Sequence, residues 1–463
     1  MAAHPACDPP AGRVRAIVAA LALLTRGVLG HAAGRVATEE GPPRRYVGAA
    51  ACSSNNCHGS VTPRLDSKRS MQNEYVTWYK SDRHAKAYEA LVGERALRIA
   101  RLLGMVDASA AAATWLKQTP RAERCLDCHT LNVPAGLRAS KFNLEDGVSC
   151  EACHGPANAW LTKHTERGWD PAQSLGLGML DTTDPGRAAE TCLTCHLGTA
   201  TKRVDHEMLA AGHPPVAFEL DTFAANMPPH WKEHDANRRW FRGGAWTAGQ
   251  AVALREAVRH LVQPASEHGW PDFSVYECSS CHHDLRKPSW RQQRGYAGRT
   301  PGAPSLDPSR HTLLLFLARA VGSPEAAALS AGMQQIGRLA SDARPPRDVD
   351  AVAGGVVAAA GRVLERTAAA PLDDGQMRRL LRDIVDAAEP LAYDGFRTAQ
   401  QAAWALDALA VARVEVGQGG QPGKEGDPLR RAIGQLFEDL RDPAAYDPAR
   451  FARDVGTLRR YVP

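Results

Sequence analysis

The chain has 463 residues, enough for two or three domains with a sizeable core, so metals are not required merely to hold it together. Hydrophobic content is ordinary at 44% and aromatics are few at 6%, while 17 His and 11 Cys stand out against a formal net charge of only +5. Beyond the N-terminal leader no run is apolar enough to cross a bilayer, which excludes an integral membrane protein built on several spans.

Arg13 and Arg15 precede the apolar run "AIVAALALL", and small residues follow in "GVLGHAAG". This is the pattern of a secretory leader over residues 1–33, cut near Ala32 or Ala33. Nine apolar residues before Arg26 fall well short of the ~20 that an uncleaved anchor needs. The mature protein is therefore expected to be exported, periplasmic, and soluble or peripherally associated with a membrane. Cys7 leaves with the leader, and the other ten cysteines lie between Cys52 and Cys281. An oxidising compartment normally points to disulfides. The spacing here points elsewhere.

The cysteines fall in five pairs: "CSSNNCH" at 52–58, "CLDCH" at 125–129, "CEACH" at 150–154, "CLTCH" at 192–196 and "CSSCH" at 278–282. The last four are C-x-x-C-H, the attachment sequence for c-type haem. Two thiols must reach the two vinyl groups on one edge of a flat macrocycle, and a two-residue gap turns both to the same side. The adjoining imidazole then lies under the iron as its proximal ligand. Zinc knuckles also use C-x-x-C, but a zinc site has no reason to place His behind the second Cys every time. Redox-active disulfides are the remaining alternative. The first pair, Cys52 and Cys57 with His58, inserts two residues. It reads as a fifth haem site in which Asn55 and Asn56 take left-handed conformations to let the loop bulge. The alternative is a Cys52–Cys57 disulfide with His58 as a bystander, and the flank "CHGS", which echoes "CHGP" at 153–156, favours haem. The expected cofactors are five haem c groups on Cys52/Cys57, Cys125/Cys128, Cys150/Cys153, Cys192/Cys195 and Cys278/Cys281, with His58, His129, His154, His196 and His282 on the iron.

Low-spin haems need a second axial ligand, so the other histidines matter. His84, Tyr88 and Leu91 share one face of a helix that Ser81 is placed to cap, which makes His84 either a ligand or a core histidine. His206 and His213 lie in "HEMLAAGHPP", and either can serve the fourth motif. His213, set on a rigid backbone before Pro214, is the better placed, leaving His206 for the fifth haem or a propionate. His230, His234, His260, His268 and His311 read as surface residues at least as readily as ligands. His283 follows His282 directly and points away from the same iron.

The order of these motifs, with "TWYKSDRHAKAYEAL" at 77–91 and "DGVSCEACHGPANAWLTKH" at 146–164, resembles the tetrahaem cytochromes c that accept electrons from hydroxylamine oxidoreductase. The resemblance covers about positions 46–215. The expanded first motif, the fifth motif and a Cys-free C-terminal region depart from it. It implies that His84 ligates the third haem and His164 the first. It also implies that the second haem, on Cys125, Cys128 and His129, lacks a distal protein ligand.

With all the sites in residues 46–290, the macrocycles are expected to form much of that region's core, among helices and irregular loops. From residue 305 to 463 Cys is absent and helical periodicity takes over. Met377, Leu380, Leu381, Ile384, Val385 and Ala388 share one face, as do Trp404, Ala405, Ala408, Leu409 and Ala412. Asp427-Pro428 and Asp447-Pro448 open further helices, with a flexible connector at 417–426. The fold class expected is mainly α with extensive irregular loops: a multihaem cytochrome c domain with a closely packed haem array, plus a C-terminal helical bundle. Losing the leader's three arginines and Asp8 leaves a net charge of +3. Five ferric haems at about −1 each bring it to roughly −2, so the basic balance gives no ground for a nucleic-acid partner. The function expected is electron transfer between redox partner proteins, a donor and an acceptor. The alternative is a haem enzyme acting on a small nitrogen or sulfur compound, such as hydroxylamine or nitrite, at a five-coordinate haem.

Overall fold

A computed structural model describes residues 44–66, 70–231, 240, 243–262, 272–283, 289–290, 300–344, 346–417 and 428–462. The leader at 1–33, His234, His268, Asp427 and most of the 417–426 connector lie outside the described residues.

Short helices carry the first part of the chain. Helix α1 spans Glu74–Ser81 and α2 spans Glu94–Leu102. Between them Arg83–Lys86 is a 3₁₀ turn. Ser81 is the last residue of α1 rather than a cap; Asp82 caps the turn, its Oδ1 accepting from His84 N at 2.9 Å. Helix α3 (Glu123–His129) follows a turn in which Thr119 Oγ1 accepts from Arg121 N, with Pro120 at its first position. Helix α4 is Cys150–His154, α5 is Pro171–Gly176, and α6 is Pro185–His196, capped by Asp184 ahead of Pro185. Helices α7 (His206–Ala210), α8 (Leu220–Asn226) and the long α9 (Gly244–Val262) follow. Three C-x-x-C-H motifs thus occupy the last turn of α3, all of α4 and the last turn of α6. A 3.6-residue period there sets thiols three apart on one face.

The remaining helices are α10 (Thr312–Ala320), α11 (Glu325–Ser341), α12 (Pro346–Ala369), α13 (Asp374–Asp386), α14 (Ala388–Tyr393), α15 (Phe396–Gly417), α16 (Pro428–Asp439) and α17 (Pro448–Thr457). Asp373 and Gln376 form a reciprocal capping box at the start of α13, and Asp447 caps α17 ahead of Pro448. The two apolar faces read from the sequence are buried as expected, from Met377 to Ala388 and from Trp404 to Ala412. No strand occurs among the described residues; there are two isolated bridges, Tyr46 to Arg138 and Tyr276 to Leu306. The architecture is mainly α with irregular connections.

Arg44–Pro463 form one compact unit, but its apolar core is uneven. One large cluster joins α9 to the helices from α10 onward, with Trp246, Leu254, Leu317, Ile336, Leu380 and Phe451 at its centre. Helix α9 packs on α12 on one side and on α6 on the other. Toward the N-terminus the clusters are small: Leu97, Ala100, Met105, Ala110 and Trp115 in one, and Ala49, Trp78 and Ala85 in another. The segment bearing the first motifs has little side-chain core of its own. No helix among the described residues is long and apolar enough to cross a membrane.

Candidate haem attachment sites

The first motif departs from helical geometry. Cys57 N donates to Ser54 O at 2.9 Å and His58 N to Cys52 O at 3.2 Å, so the two inserted residues are absorbed in a turn whose tip, 54–56, is exposed. Neither Asn55 nor Asn56 is left-handed; among described non-glycine residues only Gln72 and Ala343 have positive φ. The turn closes instead over Gly59, where a Cβ would lie 1.8 Å from Ser53 O. The matching glycine of "CHGP", Gly155, has φ 78°, and a Cβ there would lie 2.4 Å from Gly178 O. The shared flank therefore has a steric cause. All ten cysteines among the described residues are free, Cys52 and Cys57 included. Cys278–Ser280 is a 3₁₀ turn, and both Cys278 and Cys281 are exposed.

Motif histidines face second imidazoles across a constant gap. His58 faces His164 with ring centres 6.2 Å apart and planes 10° from parallel. His196 faces His84 at 6.2 Å and 87°, His129 faces His213 at 6.3 Å and 88°, and His282 faces His206 at 6.1 Å and 25°. A first-row metal held at about 2 Å by one nitrogen of each ring leaves the centres ~6 Å apart, so each gap fits one iron. Hydrogen bonds at Nδ1 turn Nε2 inward. His58 donates to Glu74 Oε2 at 2.9 Å, His84 to Asp82 Oδ1 at 3.0 Å and His129 to Ala87 O at 2.9 Å. His164 donates to Trp160 O at 3.3 Å and His213 to Pro214 O at 2.8 Å. Anchoring one ring nitrogen is how proteins fix the tautomer and direction of a metal-bound histidine. Among the described residues no three His, Cys, Asp or Glu side chains gather as a zinc site requires.

Two pairings differ from the sequence expectation. His84 faces His196 of the fourth motif rather than His154 of the third, and His213 faces His129 of the second rather than His196. The segment bearing His213 is tied to the second motif: Arg124 pairs with Asp205 at 2.5 Å, and Arg95 donates to Gly212 O at 3.0 Å. At the second motif, expected to lack a distal protein ligand, the His213 ring faces His129. His154 has no facing ring at such a distance among the described residues. Burial, then the charges of His230 and His58, hold it at about 4 and thus neutral. His230, left open by the sequence between a surface residue and a ligand, anchors its Nδ1 on Pro228 O at 3.1 Å as the paired histidines do, and lies near enough to act on Asp82. His196 likewise sits at about 4, through burial and then the charges of His84 and Arg310.

The supporting carboxylates have no motif and were not legible in the sequence. Burial pushes Glu74 up, but hydrogen bonds from His58 and Ser70 outweigh it and hold its carboxyl at about 2, while His58 is raised in turn. Glu151, inside the third motif and buried, accepts from Val47 N at 2.9 Å, Gly48 N at 2.8 Å and Ala157 N at 2.7 Å. It clamps the segment leading to Cys52 onto α4.

The attachment segments touch in a definite order. Cys150 packs against the cluster of Ala49, Trp78 and Ala85, and the Cys52 and Cys150 thiols shift each other's ionisation, Cys52 down and Cys150 up, joining the first motif to the third. Helix α4 contacts α6, with Cys153 and Cys192 within each other's field, joining the third to the fourth. Lys202 Nζ bridges Asp127 O at 3.2 Å and Cys195 Sγ at 3.3 Å, joining the fourth to the second. His213 and His206, which face the second and fifth motifs, share one short segment, and His206 N donates to Asp272 at 3.3 Å.

The family described as cytochrome c554 and c-prime matches residues 51–155, a stretch that holds the first three motifs. No curated protein and no solved structure matches the chain. The match supports a multihaem c-type cytochrome with covalently bound haem c, working in electron transfer with redox partners.

Proposed function

We propose that the protein is an exported electron carrier with five haem c groups, held at Cys52/Cys57, Cys125/Cys128, Cys150/Cys153, Cys192/Cys195 and Cys278/Cys281. The proposed axial pairs are His58 with His164, His129 with His213, His196 with His84 and His282 with His206. For His154, which faces no ring at that distance among the described residues, His230 is proposed instead, from its effect on His154 and its anchored Nδ1. Each iron, when bound, supplies a one-electron ferric/ferrous couple. The protein's own part is to fix the imidazoles through Glu74, Asp82 and backbone carbonyls, and to keep the attachment segments in contact from Cys52 to Cys281. The observation that carries the reading is the repeated 6.1–6.3 Å gap between facing imidazoles. An isolated haem enzyme has no need of four such pairs. The leader at 1–33 supports export to the periplasm, since haem is attached to such motifs outside the reducing cytosol.

Electron paramagnetic resonance of the ferric protein tests this. The expected spectrum is low-spin throughout and indifferent to nitric oxide or hydroxylamine, and His213→Ala adds one high-spin component that binds nitric oxide. His230→Ala is expected to do the same for the third site. A high-spin signal already present in the unaltered protein and consumed by hydroxylamine would establish the enzyme reading instead.

A further inference from the structure

At the junction between the C-terminal helices and the fourth and fifth motifs, two arginines lie beside the buried carboxylates Asp307 and Glu277. Asp307, buried, pairs with Arg397 Nη1 at 2.9 Å and accepts from Ser309 N at 3.0 Å. Arg397 also donates to Tyr276 O at 2.9 Å and Cys278 Sγ at 3.1 Å. Arg310 stands beside this pair without a carboxylate of its own. Its Nη2 donates to Val216 O at 3.3 Å, while its Nη1 is sealed from solvent with no hydrogen-bond partner. Asp307 and Glu277 both act on Arg397, whereas Asp307 is the one carboxylate that acts on Arg310. A guanidinium cannot shed its proton to escape burial, so the open Nη1 of Arg310 calls for an anion of its own.

The place of that anion follows from the neighbours of Val216. Phe218, two residues on, stacks against the His196 ring with centres 4.8 Å apart and planes 30° from parallel. Arg310 is therefore anchored to the segment that walls the fourth motif. A haem c brings two propionate carboxylates to its site, and the planar guanidinium fork matches a carboxylate better than any other cationic side chain does. We propose that Arg310 binds a propionate of the haem attached at Cys192 and Cys195. The C-terminal helices then serve as a clamp that sets the potential of this haem. The inference rests on the reading that this motif carries haem.

Three measurements separate the outcomes. Peptide mass spectrometry first establishes whether Cys192 and Cys195 carry haem; unmodified thiols there would sink the parent reading, and the clamp with it. Given haem, an experimental structure of the unaltered holoprotein is expected to show Arg310 Nη1 hydrogen-bonded to a propionate oxygen. Water or a backbone carbonyl in that position overturns the clamp while leaving the haem assignment standing. In Arg310→Gln, with five haems retained, one midpoint potential is expected to fall, because a positive charge that favours the reduced form is gone. A shift of about tenfold in that reduction equilibrium is ~59 mV for a one-electron couple. Arg310→Lys, which keeps the charge without the fork, should shift it less. Unchanged potentials in Arg310→Gln overturn the proposal.

Discussion

Imidazole has two ring nitrogens, and a side chain that presents Nε2 to an iron needs something to hold Nδ1. At His58 the holder is an ionised carboxylate, Glu74, itself fixed by Ser70 Oγ at 2.8 Å and Met71 N at 2.7 Å. At His129 and His213 it is a neutral carbonyl. A carboxylate on Nδ1 makes the ring more basic and favours the ferric state, so the haem proposed at Cys52 and Cys57 should have the lower potential of the two kinds. Glu74→Gln is expected to raise that potential, by roughly tenfold in the reduction equilibrium. Potentiometric titration followed by low-spin signals checks it, and no change would mean that Glu74 only braces the loop. The proposed attachment residues stand out in the sequence because covalent haem chemistry would fix their spacing within a few positions. Glu74, Asp82, Glu151 and His230 do not, because each acts on a partner that the fold supplies and no local pattern marks it.

Helix α9 joins the attachment region to the C-terminal helices, and its contact with α6 is partly ionic. Arg255 donates to Glu190 at 2.6 Å and to Glu256 at 2.8 Å, and Arg187 reaches Glu190 at 2.9 Å. Burial pushes the Glu190 carboxyl up, but the two arginines outweigh it and hold it below its ordinary value. A carboxyl lowered in the folded state contributes stability above its unfolded pKa of about 4.3, and loses that contribution as pH falls through the folded value. Arg255→Ala is therefore expected to cost ~1 kcal/mol near neutral pH. The loss should shrink toward zero in acid, as chemical denaturation at the two pH values would show. The faces of α13 and α15 were legible because a 3.6-residue period survives in the sequence wherever one side packs on apolar neighbours. The crossing of His84 to His196, and of His213 to His129, was not. Each joins segments far apart in the chain, and spacing carries no information about which distal histidine reaches which motif.

At the scale of the whole molecule the apolar core is split unequally. The large cluster from α9 onward has the composition of an ordinary helical bundle. Among the described residues, 44–231 offer small patches around Trp115 and Trp78 and a third, around Leu193, Phe218 and Leu220, that is completed by α9, too little to offset the entropy of ordering so many loops. Five macrocycles linked through thioether bonds would supply the missing apolar surface and would cross-link the loops as well. Polypeptide made without haem attachment should then be folded in one part and loose in the other. Amide hydrogen exchange is expected to find α10 to α17 protected in both forms. The segment at 44–231 should be protected only in the holoprotein, with α9 intermediate because it packs on both sides. Equal protection of 44–231 in the two forms would mean that the polypeptide builds this region unaided, and the haems would then be guests in a finished structure rather than its core.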